Sequence, residues 1–244
     1  MPVRKNAGRQ SAEVAEETRR RILRVAMELF ASRGYDNISL REIGQKAHVS
    51  HGLLRYYFGS KRGIWLYLCD RVNENFQSLF LHLIKRIDRS ISSNRQFFQL
   101  LAELQAYLLL NPYPMSLIAA SFKGSSDLQD YFMGKSGAFD EEIQKLFVEV
   151  KAQGYMENLQ FGDIKWLLFM FTHVPVGFKP LMRGIYGNDE SSKQLIQKPL
   201  LIGNWKLFAS LMASQLGIKP AQVPSPTCLE ELVDIELQYL MSEI

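Results

Sequence analysis

The sequence predicts an all-α protein with a small N-terminal three-helix domain and a larger helical domain. Apolar residues recur at helical spacing along most of the chain, and strand-like alternation appears nowhere for long. Serine and threonine residues stand where several helices would begin. A chain of 244 residues is long enough for one small and one medium domain.

The composition is that of a folded globular protein, with 47% hydrophobic and 22% charged residues. Cys69 and Cys228 lie far apart and outside any metal-ligand spacing, and no signal-peptide pattern opens the sequence. We therefore expect a reduced, cytoplasmic protein without a metal. The most apolar stretch, residues 166 to 178, is too short to span a bilayer and contains His173 and Pro175, so no membrane partner is expected.

Positive charge is concentrated in the first quarter of the chain. Residues 1 to 63 hold 13 Lys and Arg against 6 Asp and Glu, a net charge of +7, whereas the remaining residues hold 16 against 19, a net charge of −3. Because neutralisation of phosphates dominates nucleic-acid affinity, a basic module on a neutral-to-acidic body fits a DNA-binding protein. A basic surface that faces only solvent is the alternative.

The chain begins with a polar segment and a first amphipathic helix. Residues 1 to 15 lack apolar periodicity, so we interpret them as a flexible basic arm. The apolar face of the first helix is formed by Ile22, Val25, Ala26, Leu29 and Phe30. Gly34 is its natural end.

Two short helices complete the first domain, which we place at residues 16 to 62. Ser39 followed by Glu42 is a capping-box pattern, in which each side chain satisfies the backbone N–H of the other residue. After a short break, Ser50 caps a third helix. The order of these signals predicts three consecutive helices in this domain.

Helix-compatible sequence continues through the second domain, which we place at residues 63 to 219. A helix that begins after Ser60 should run to about Ile91 and link the two domains. Further helices are predicted over three ranges: 95–110, 114–123 and 138–153. Residues 220 to 244 form a C-terminal extension with one amphipathic helix, which Thr227 and Glu230 would cap and which bears Leu229, Leu232, Val233, Leu237 and Leu240.

Two segments of the second domain, 164–185 and 193–216, are hydrophobic nearly all round. Such segments are too apolar for the surface of a monomer, and an interface with a second subunit would bury them. The alternative is that both are central core helices. The sequence therefore favours a dimer without excluding a monomer.

Residues 38 to 57, ISLREIGQKAHVSHGLLRYY, have the pattern of a helix-turn-helix. This motif needs two helices at a steep angle, a small residue where they meet, and polar side chains on the outward face of the second. The inner seam would contain Ile43, Ala47, Val49 and Leu54. The outward positions would be Arg41, Ser50, His51 and Arg55. An unrelated helical hairpin is the alternative interpretation.

Four ordered motifs lie between Arg21 and Trp65. They are A-x-x-L-F-x-x-x-G-Y/F at Ala26 to Tyr35, T/S-hydrophobic-x-x-I-A/G at Ser39 to Gly44, A-x-V-S-x-G at Ala47 to Gly52, and hydrophobic-x-x-Y/H-F-x-S/N-K at Leu54 to Lys61. This stretch resembles the DNA-binding domain of the tetracycline-repressor (TetR) family of regulators. The motifs cover about a fifth of the chain; beyond them the likeness is one of helical architecture.

The resemblance implies that the third helix enters the major groove and that a homodimer reads two halves of a palindrome. Arg41, His51 and Arg55 carry donors long enough to reach base edges, and an arginine paired bidentately with guanine is the commonest specific contact. Gly52 lets the backbone approach closely. The family most often has tyrosine at position 55, so Arg55 either reads DNA or is an ordinary exposed arginine.

Phosphate contacts are the second group that the resemblance implies. Tyr57 and Lys61 match family positions that hold phosphates, and Ser50 stands at a helix N-terminus, where free N–H groups and the helix dipole attract anions. These contacts position the helix without reading sequence. The basic tract with Arg4, Lys5 and Arg9 would either reach a groove or remain a solvated arm.

The second domain would be the helical ligand-binding and dimerisation domain, because in this family the remaining helices enclose a small-molecule pocket and the last two long helices pair between subunits. The pocket candidates are Tyr107, Tyr113, Met115, Phe122, Tyr131, Phe139, Trp166, Met170 and His173. Such a lining suits a lipophilic or aromatic effector. Plain core packing is the alternative for each of these residues.

The sequence as a whole predicts a DNA-binding transcriptional regulator, a repressor released from a palindromic operator by a small effector. The alternative is an architectural or scaffold protein that binds DNA without a small-molecule switch. The chain has no glycine-rich phosphate loop, nucleophile elbow, H-E-x-x-H or paired-cysteine motif, so neither catalysis nor a cofactor is expected. The operator, the effector and the choice between repression and activation stay open.

Overall fold

A computed structural model describes residues 4 to 121, 130 and 131, 137 to 177, and 197 to 233. Within these ranges the chain is all-α, as predicted. The helices are α1 (Arg4–Arg33), α2 (Leu40–Lys46), α3 (His51–Phe58), α4 (Lys61–Arg86), α5 (Ser93–Leu110), α6 (Tyr113–Ser121), α7 (Gly137–Ala152), α8 (Phe161–Gly177) and α9 (Gln197–Gln215), followed by two 3₁₀ helices, Pro220–Gln222 and Leu229–Leu232. No helix in the described ranges is both long and apolar enough to cross a membrane.

The chain divides into two compact units. The first contains the described residues up to Glu74 and those between Ser116 and Gly134, and the second contains the other described residues. The division falls inside α4, later than the boundary at residue 62 that the sequence predicts. The reason is that Trp65, at 0% exposure, completes the core of the first unit.

Helix α1 begins at Arg4, which corrects the prediction of an irregular arm over residues 1 to 15. That prediction relied on the absence of apolar periodicity, which does not exclude a helix. Ala7, Ala12 and Glu13 are among the residues with high helix propensity in this stretch, and no proline interrupts it after Pro2. The arm and the first predicted helix are thus one continuous helix from Arg4 to Arg33.

The core of the first unit lies where α1, α3 and α4 meet. Ile22, Phe30, Leu54 and Trp65 are each 0% exposed. The ring centroids of Phe30 and Trp65 are 5.4 Å apart, and those of Tyr35 and Trp65 are 5.2 Å apart, both in edge-to-face geometry. Full burial of each large side chain stabilises the unit by about 2 kcal/mol, so this cluster fixes the platform that carries α2 and α3.

Helix α5 is the centre of the second unit and packs against α7, α8, α9 and the second 3₁₀ helix. The indole Nε1 of Trp205, on α9, donates a hydrogen bond to the carbonyl oxygen of Ala102, on α5, at 2.8 Å. The amide Nδ2 of Asn94 donates to the carbonyl oxygen of Leu216 at 2.8 Å. The first bond joins the middles of α9 and α5, and the second joins the start of α5 to the end of α9.

The C-terminal extension differs from its prediction. Its described part forms a 3₁₀ turn at Leu229–Leu232 instead of the start of an amphipathic helix. Thr227 hydrogen-bonds Glu231, not the predicted Glu230, through its backbone N–H at 3.1 Å and its hydroxyl, which lowers the pKa of the Glu231 carboxyl. Leu229 and Val233 are buried, and the turn packs on α5. Leu237 and Leu240 lie outside the described residues.

Candidate nucleic-acid interface

Helices α2 and α3 begin at the two serines that the sequence predicts. The Oγ of Ser39 accepts a hydrogen bond from the backbone N–H of Glu42 at 3.1 Å, and the Oγ of Ser50 accepts one from that of Leu53 at 3.2 Å. The second half of the predicted capping box is replaced, since the Glu42 carboxylate accepts a hydrogen bond from Arg33. A charged guanidinium on α1 is the stronger partner for that carboxylate.

The angle between α2 and α3 depends on small and buried residues at their crossing. Ile43, Ala47 and Leu54 are 0% exposed, as the predicted seam requires, and Val49 is half-buried. A Cβ added to Gly44 would lie 3.1 Å from both the Leu54 Cδ1 and the Val49 carbonyl oxygen. Glycine at this point therefore allows the close approach that a helix-turn-helix needs.

The turn between the two helices contains a backbone conformation that the sequence did not reveal. His48 has a φ of 53°, in the left-handed region. This conformation is uncommon for residues other than glycine, although histidine tolerates it better than most. It directs the chain from the end of α2 to the Ser50 cap of α3.

The outward face of α3 is formed by Gly52, Arg55 and Tyr56. Successive helical residues are about 100° apart, so Gly52 and Tyr56 lie nearly opposite the buried Leu54, and Arg55 lies beside them, about 100° from Leu54. All three are exposed, and Tyr56 is 81% exposed. Tyr56 is not among the predicted contact residues, although its position four residues after Gly52 places it on the same face. The predicted contact residues Arg41, Ser50 and His51 are also exposed.

The first unit presents unpaired cationic groups beside this face. Arg41 and Arg55 have no carboxylate partner among the residues that the structure describes, whereas Lys46 contacts Glu28 at 3.1 Å and Arg33 contacts Glu42. The carboxylates of Glu28 and Glu42 are thus already paired with cations other than Arg41 and Arg55. The two unpaired guanidinium groups keep their donors available for an anionic or hydrogen-bonding partner.

The side chain of Lys61 is held in place by hydrogen bonds within the first unit. Its Nζ donates hydrogen bonds to the carbonyl oxygens of Tyr35 at 3.0 Å and Ile38 at 2.9 Å, and it lies 4.1 Å from the centroid of the Tyr35 ring. An ammonium group has three N–H donors, so one remains for a phosphate. The structure thus adds a positioning contact to the phosphate contact that the resemblance implies: Lys61 holds the loop between α1 and α2.

Two further groups support α3 from the side. Tyr57 is half-buried, with its ring centroid 5.3 Å from that of Tyr56. The guanidinium of Arg19, on α1, lies 4.8 Å from the ring centroid of Tyr67 and 5.9 Å from that of Phe58. This contact joins α1, α3 and α4, and sequence reasoning missed it because the partners lie far apart along the chain.

The candidate effector residues belong to both compact units. Tyr107 is buried in the second unit, where burial raises its pKa and the amide of Asn111 donates to its hydroxyl at 3.4 Å. Tyr131 belongs to the first unit and donates a hydrogen bond to Asp70 at 2.7 Å. Trp166 is 60% exposed and stacks on Phe169, so its place in an effector pocket stays a prediction.

The remaining candidates are less completely placed. Met170 and His173 are half-buried on α8, and Met115 is half-buried on α6. Phe122 lies outside the described residues, as do the side chains of Tyr113 and Phe139. Only Tyr107, among the candidates whose side chains are described, is fully buried in the second unit.

The capped and tightly crossed helices α2 and α3, with an exposed face of Gly52, Arg55 and Tyr56, define a helix-turn-helix DNA-binding protein. Residues 22–68 match the family model described as bacterial regulatory proteins, tetR family. Residues 22–68 are thus similar to the DNA-binding domain of this family, and the chain is a DNA-binding transcription regulator.

Relatives extend the likeness beyond the matched residues. The chain is 27% identical over 178 residues to the HTH-type transcriptional repressor Rv3405c of Mycobacterium tuberculosis, covering 72% of this chain and 80% of that one. It is 40% identical over 53 residues to the HTH-type transcriptional regulator SrpR of Pseudomonas putida, covering 22% and 25%. The fold resembles that of a candidate fatty acid metabolism regulator from Clostridium perfringens, with a TM-score of 0.59, 18% identity, and coverage of 81% and 97%.

Proposed function

We propose that this chain is a homodimeric repressor that binds a palindromic operator and is released by a small lipophilic or aromatic effector. The observation that carries the DNA-binding part is the exposed face of α3, with Gly52, Arg55 and Tyr56 projecting from a rigid buried seam. An α-helix fits the major groove of B-DNA, where each base pair displays a distinct pattern of donors and acceptors. The 27% identical relative named a repressor supports the direction of regulation.

The contacts in this proposal fall into base reading and phosphate binding. Arg55 reads a base edge, and Arg41 and His51 flank it with exposed donors. Gly52 admits the backbone of α3 close to the groove floor. Phosphates are held by Ser50 at the start of α3, by Tyr57, and by the remaining N–H donor of Lys61.

The apolar surface of the second unit supports the homodimer. Trp166 on α8 is 60% exposed, and Leu207 and Leu211 on α9 are 57% and 37% exposed. Leu207 and Leu211 are four residues apart and therefore share one face of α9. Large exposed apolar side chains of this kind fit an interface with a second copy of the chain, which would also supply the second reading head.

The switch in this proposal acts through the dimer. An effector weakens DNA binding when it favours a dimer geometry whose two α3 helices no longer match successive turns of the major groove. Helix α4 contributes residues to both compact units, so it is the covalent route for this coupling. The candidates for effector contact in the second unit include Tyr107, Met115, Met170 and His173.

Selection of duplexes from a random DNA library by the full chain tests the proposal. We expect a palindromic consensus whose half-sites lie about one helical turn apart, and protection of one such site by a dimer. A consensus without two-fold symmetry, or a monomer in sedimentation at micromolar concentration, would contradict the proposal that a homodimer binds the operator.

The role of Arg55 is tested on the selected operator and on a random duplex. We expect Arg55→Ala to weaken operator binding by about 1–3 kcal/mol and random-duplex binding far less. The matched control is Arg95→Ala, which removes an exposed arginine of the second unit and should change neither affinity. Equal losses on both duplexes would show that Arg55 does not read sequence.

A further inference from the structure

A buried amide in the second unit lacks a strong hydrogen-bond partner for its oxygen. Gln105 on α5 and Thr172 on α8 are both 0% exposed. The Gln105 Nε2 lies 3.3 Å from the Thr172 Oγ1, and the Gln105 Oε1 lies 3.5 Å from the same oxygen. The single proton of the Thr172 hydroxyl is directed to the Leu168 carbonyl oxygen at 2.7 Å. Thr172 therefore cannot also donate to the Gln105 Oε1.

The polar side chains on neighbouring turns are engaged elsewhere. The Trp205 Nε1 donates to the Ala102 carbonyl oxygen at 2.8 Å, and the Asn204 Nδ2 donates to the Phe171 carbonyl oxygen. Within the part of the chain that the structure describes, the Gln105 Oε1 has no other donor, and one N–H of its amide has no acceptor. An apolar side chain would suit a closed core better than an amide in this state.

The surroundings of Gln105 are uncharged. Among the described residues of the second unit, the fully buried polar side chains are amides and hydroxyls, and no carboxylate or cation is fully buried. The partly buried carboxylate of Glu103 lies 3.7 Å from Arg86 and is already paired. A charged ligand would lose its hydration here without gaining a counter-charge.

We infer that Gln105, with Thr172 beside it, is the polar anchor of the effector site, and that the effector is an uncharged, largely apolar molecule with a hydrogen-bond donor, of the aromatic amide or alcohol class. The ligand donates a hydrogen bond to the Gln105 Oε1, and an acceptor atom of the ligand accepts one from the remaining N–H of the Gln105 amide. This inference rests on the proposed effector-controlled function and adds the residue pair and the ligand class.

Matched neutral and charged probes test the ligand class on the full-length chain. The probes are benzamide, benzyl alcohol and benzoate, which share one ring, with binding measured by calorimetry and by thermal unfolding. We expect benzamide or benzyl alcohol to raise the unfolding midpoint and benzoate to bind at least about tenfold more weakly. Binding of benzoate as tight as that of the neutral probes, or binding of none of the three at millimolar concentration, overturns the assignment.

The variants Gln105→Leu and Thr172→Val test the anchor. Both replace a polar side chain by an apolar one of similar shape, so we expect the unfolding midpoint to stay within about 3 °C of the parent and neutral-probe binding to weaken at least about tenfold. Thr172→Val carries the test alone if Gln105→Leu does not fold. Unchanged probe affinity in a folded variant overturns the role of Gln105 and Thr172 as the anchor.

Operator binding separates this inference from the proposed function. A chain that binds no operator contradicts the proposed function, whatever the probes do. A chain that binds its operator and no probe contradicts this inference alone. If a neutral probe binds through Gln105 and operator affinity stays unchanged, the anchor stands and the proposed release by effector is wrong.

Discussion

Removal of the Lys61 ammonium separates its positioning role from a phosphate contact. Lys61→Met keeps most of the apolar stem and deletes the hydrogen bonds to the carbonyl oxygens of Tyr35 and Ile38, at 3.0 and 2.9 Å, together with the contact 4.1 Å from the Tyr35 ring. Each bond from a half-buried ammonium contributes about 1 kcal/mol, and the cation–π contact about 0.5 kcal/mol. We therefore expect a loss of about 2.5 kcal/mol in the free energy of unfolding, measured in urea.

The salt dependence of operator binding is the second assay for Lys61→Met. The plot of log K against log salt has a negative slope, and each phosphate contact that is lost makes this slope shallower by about 0.9. Loss of a positioning residue instead lowers the fraction of folded modules and so the affinity. The slope stays nearly constant, because each folded module still makes the same number of phosphate contacts. If Lys61 holds a phosphate as well, the slope falls in addition to the loss of stability.

A lysine of the same unit serves as the control. Lys46→Met removes an ammonium whose ion pair with Glu28 is exposed, so it should cost about 0.5 kcal/mol or less. If Lys61→Met unfolds at the same urea concentration as Lys46→Met, and the salt dependence becomes shallower by about 0.9 per module, then Lys61 is a phosphate contact and has no positioning role.

Three further predictions follow from single residues. His48→Gly should stabilise the first unit by about 0.5–1 kcal/mol in urea unfolding, because glycine adopts a φ of 53° without strain; an unchanged midpoint would show that His48 is not strained. Burial raises the pKa of Tyr107, so its contribution is complete below the unfolded pKa of about 10 and is lost as pH rises through the folded pKa. Stability should thus fall above about pH 10, and less steeply in Tyr107→Phe; identical pH profiles would exclude Tyr107 as the cause. Leu207→Glu should convert the proposed homodimer to monomer in sedimentation, whereas Leu81→Glu, at a similarly exposed leucine on α4, should not; a dimer that survives Leu207→Glu rules out this face.

Local signals in the sequence determined the helix order and the DNA-binding motif. Ser39 and Ser50 cap their helices through hydrogen bonds to residues three positions on, and such contacts depend on short segments alone. The seam residues Ile43 and Leu54 follow from helical periodicity, because a buried stripe repeats within a few turns. For the same reason the exposed Arg55 was predictable, and Tyr56 could have been.

The tertiary structure alone decided which partners distant residues meet. Lys61 binds carbonyl oxygens more than 20 positions away, and Gln105 meets Thr172 across 67 positions; no spacing rule connects such residues. The two apolar segments of the second domain could not show which face is outward, because a helix that is hydrophobic nearly all round has no sequence-encoded polar side. Packing against α5 settles the inward face of α8 and α9 and leaves Trp166 at the surface, since each helix can bury only the side that its neighbours cover.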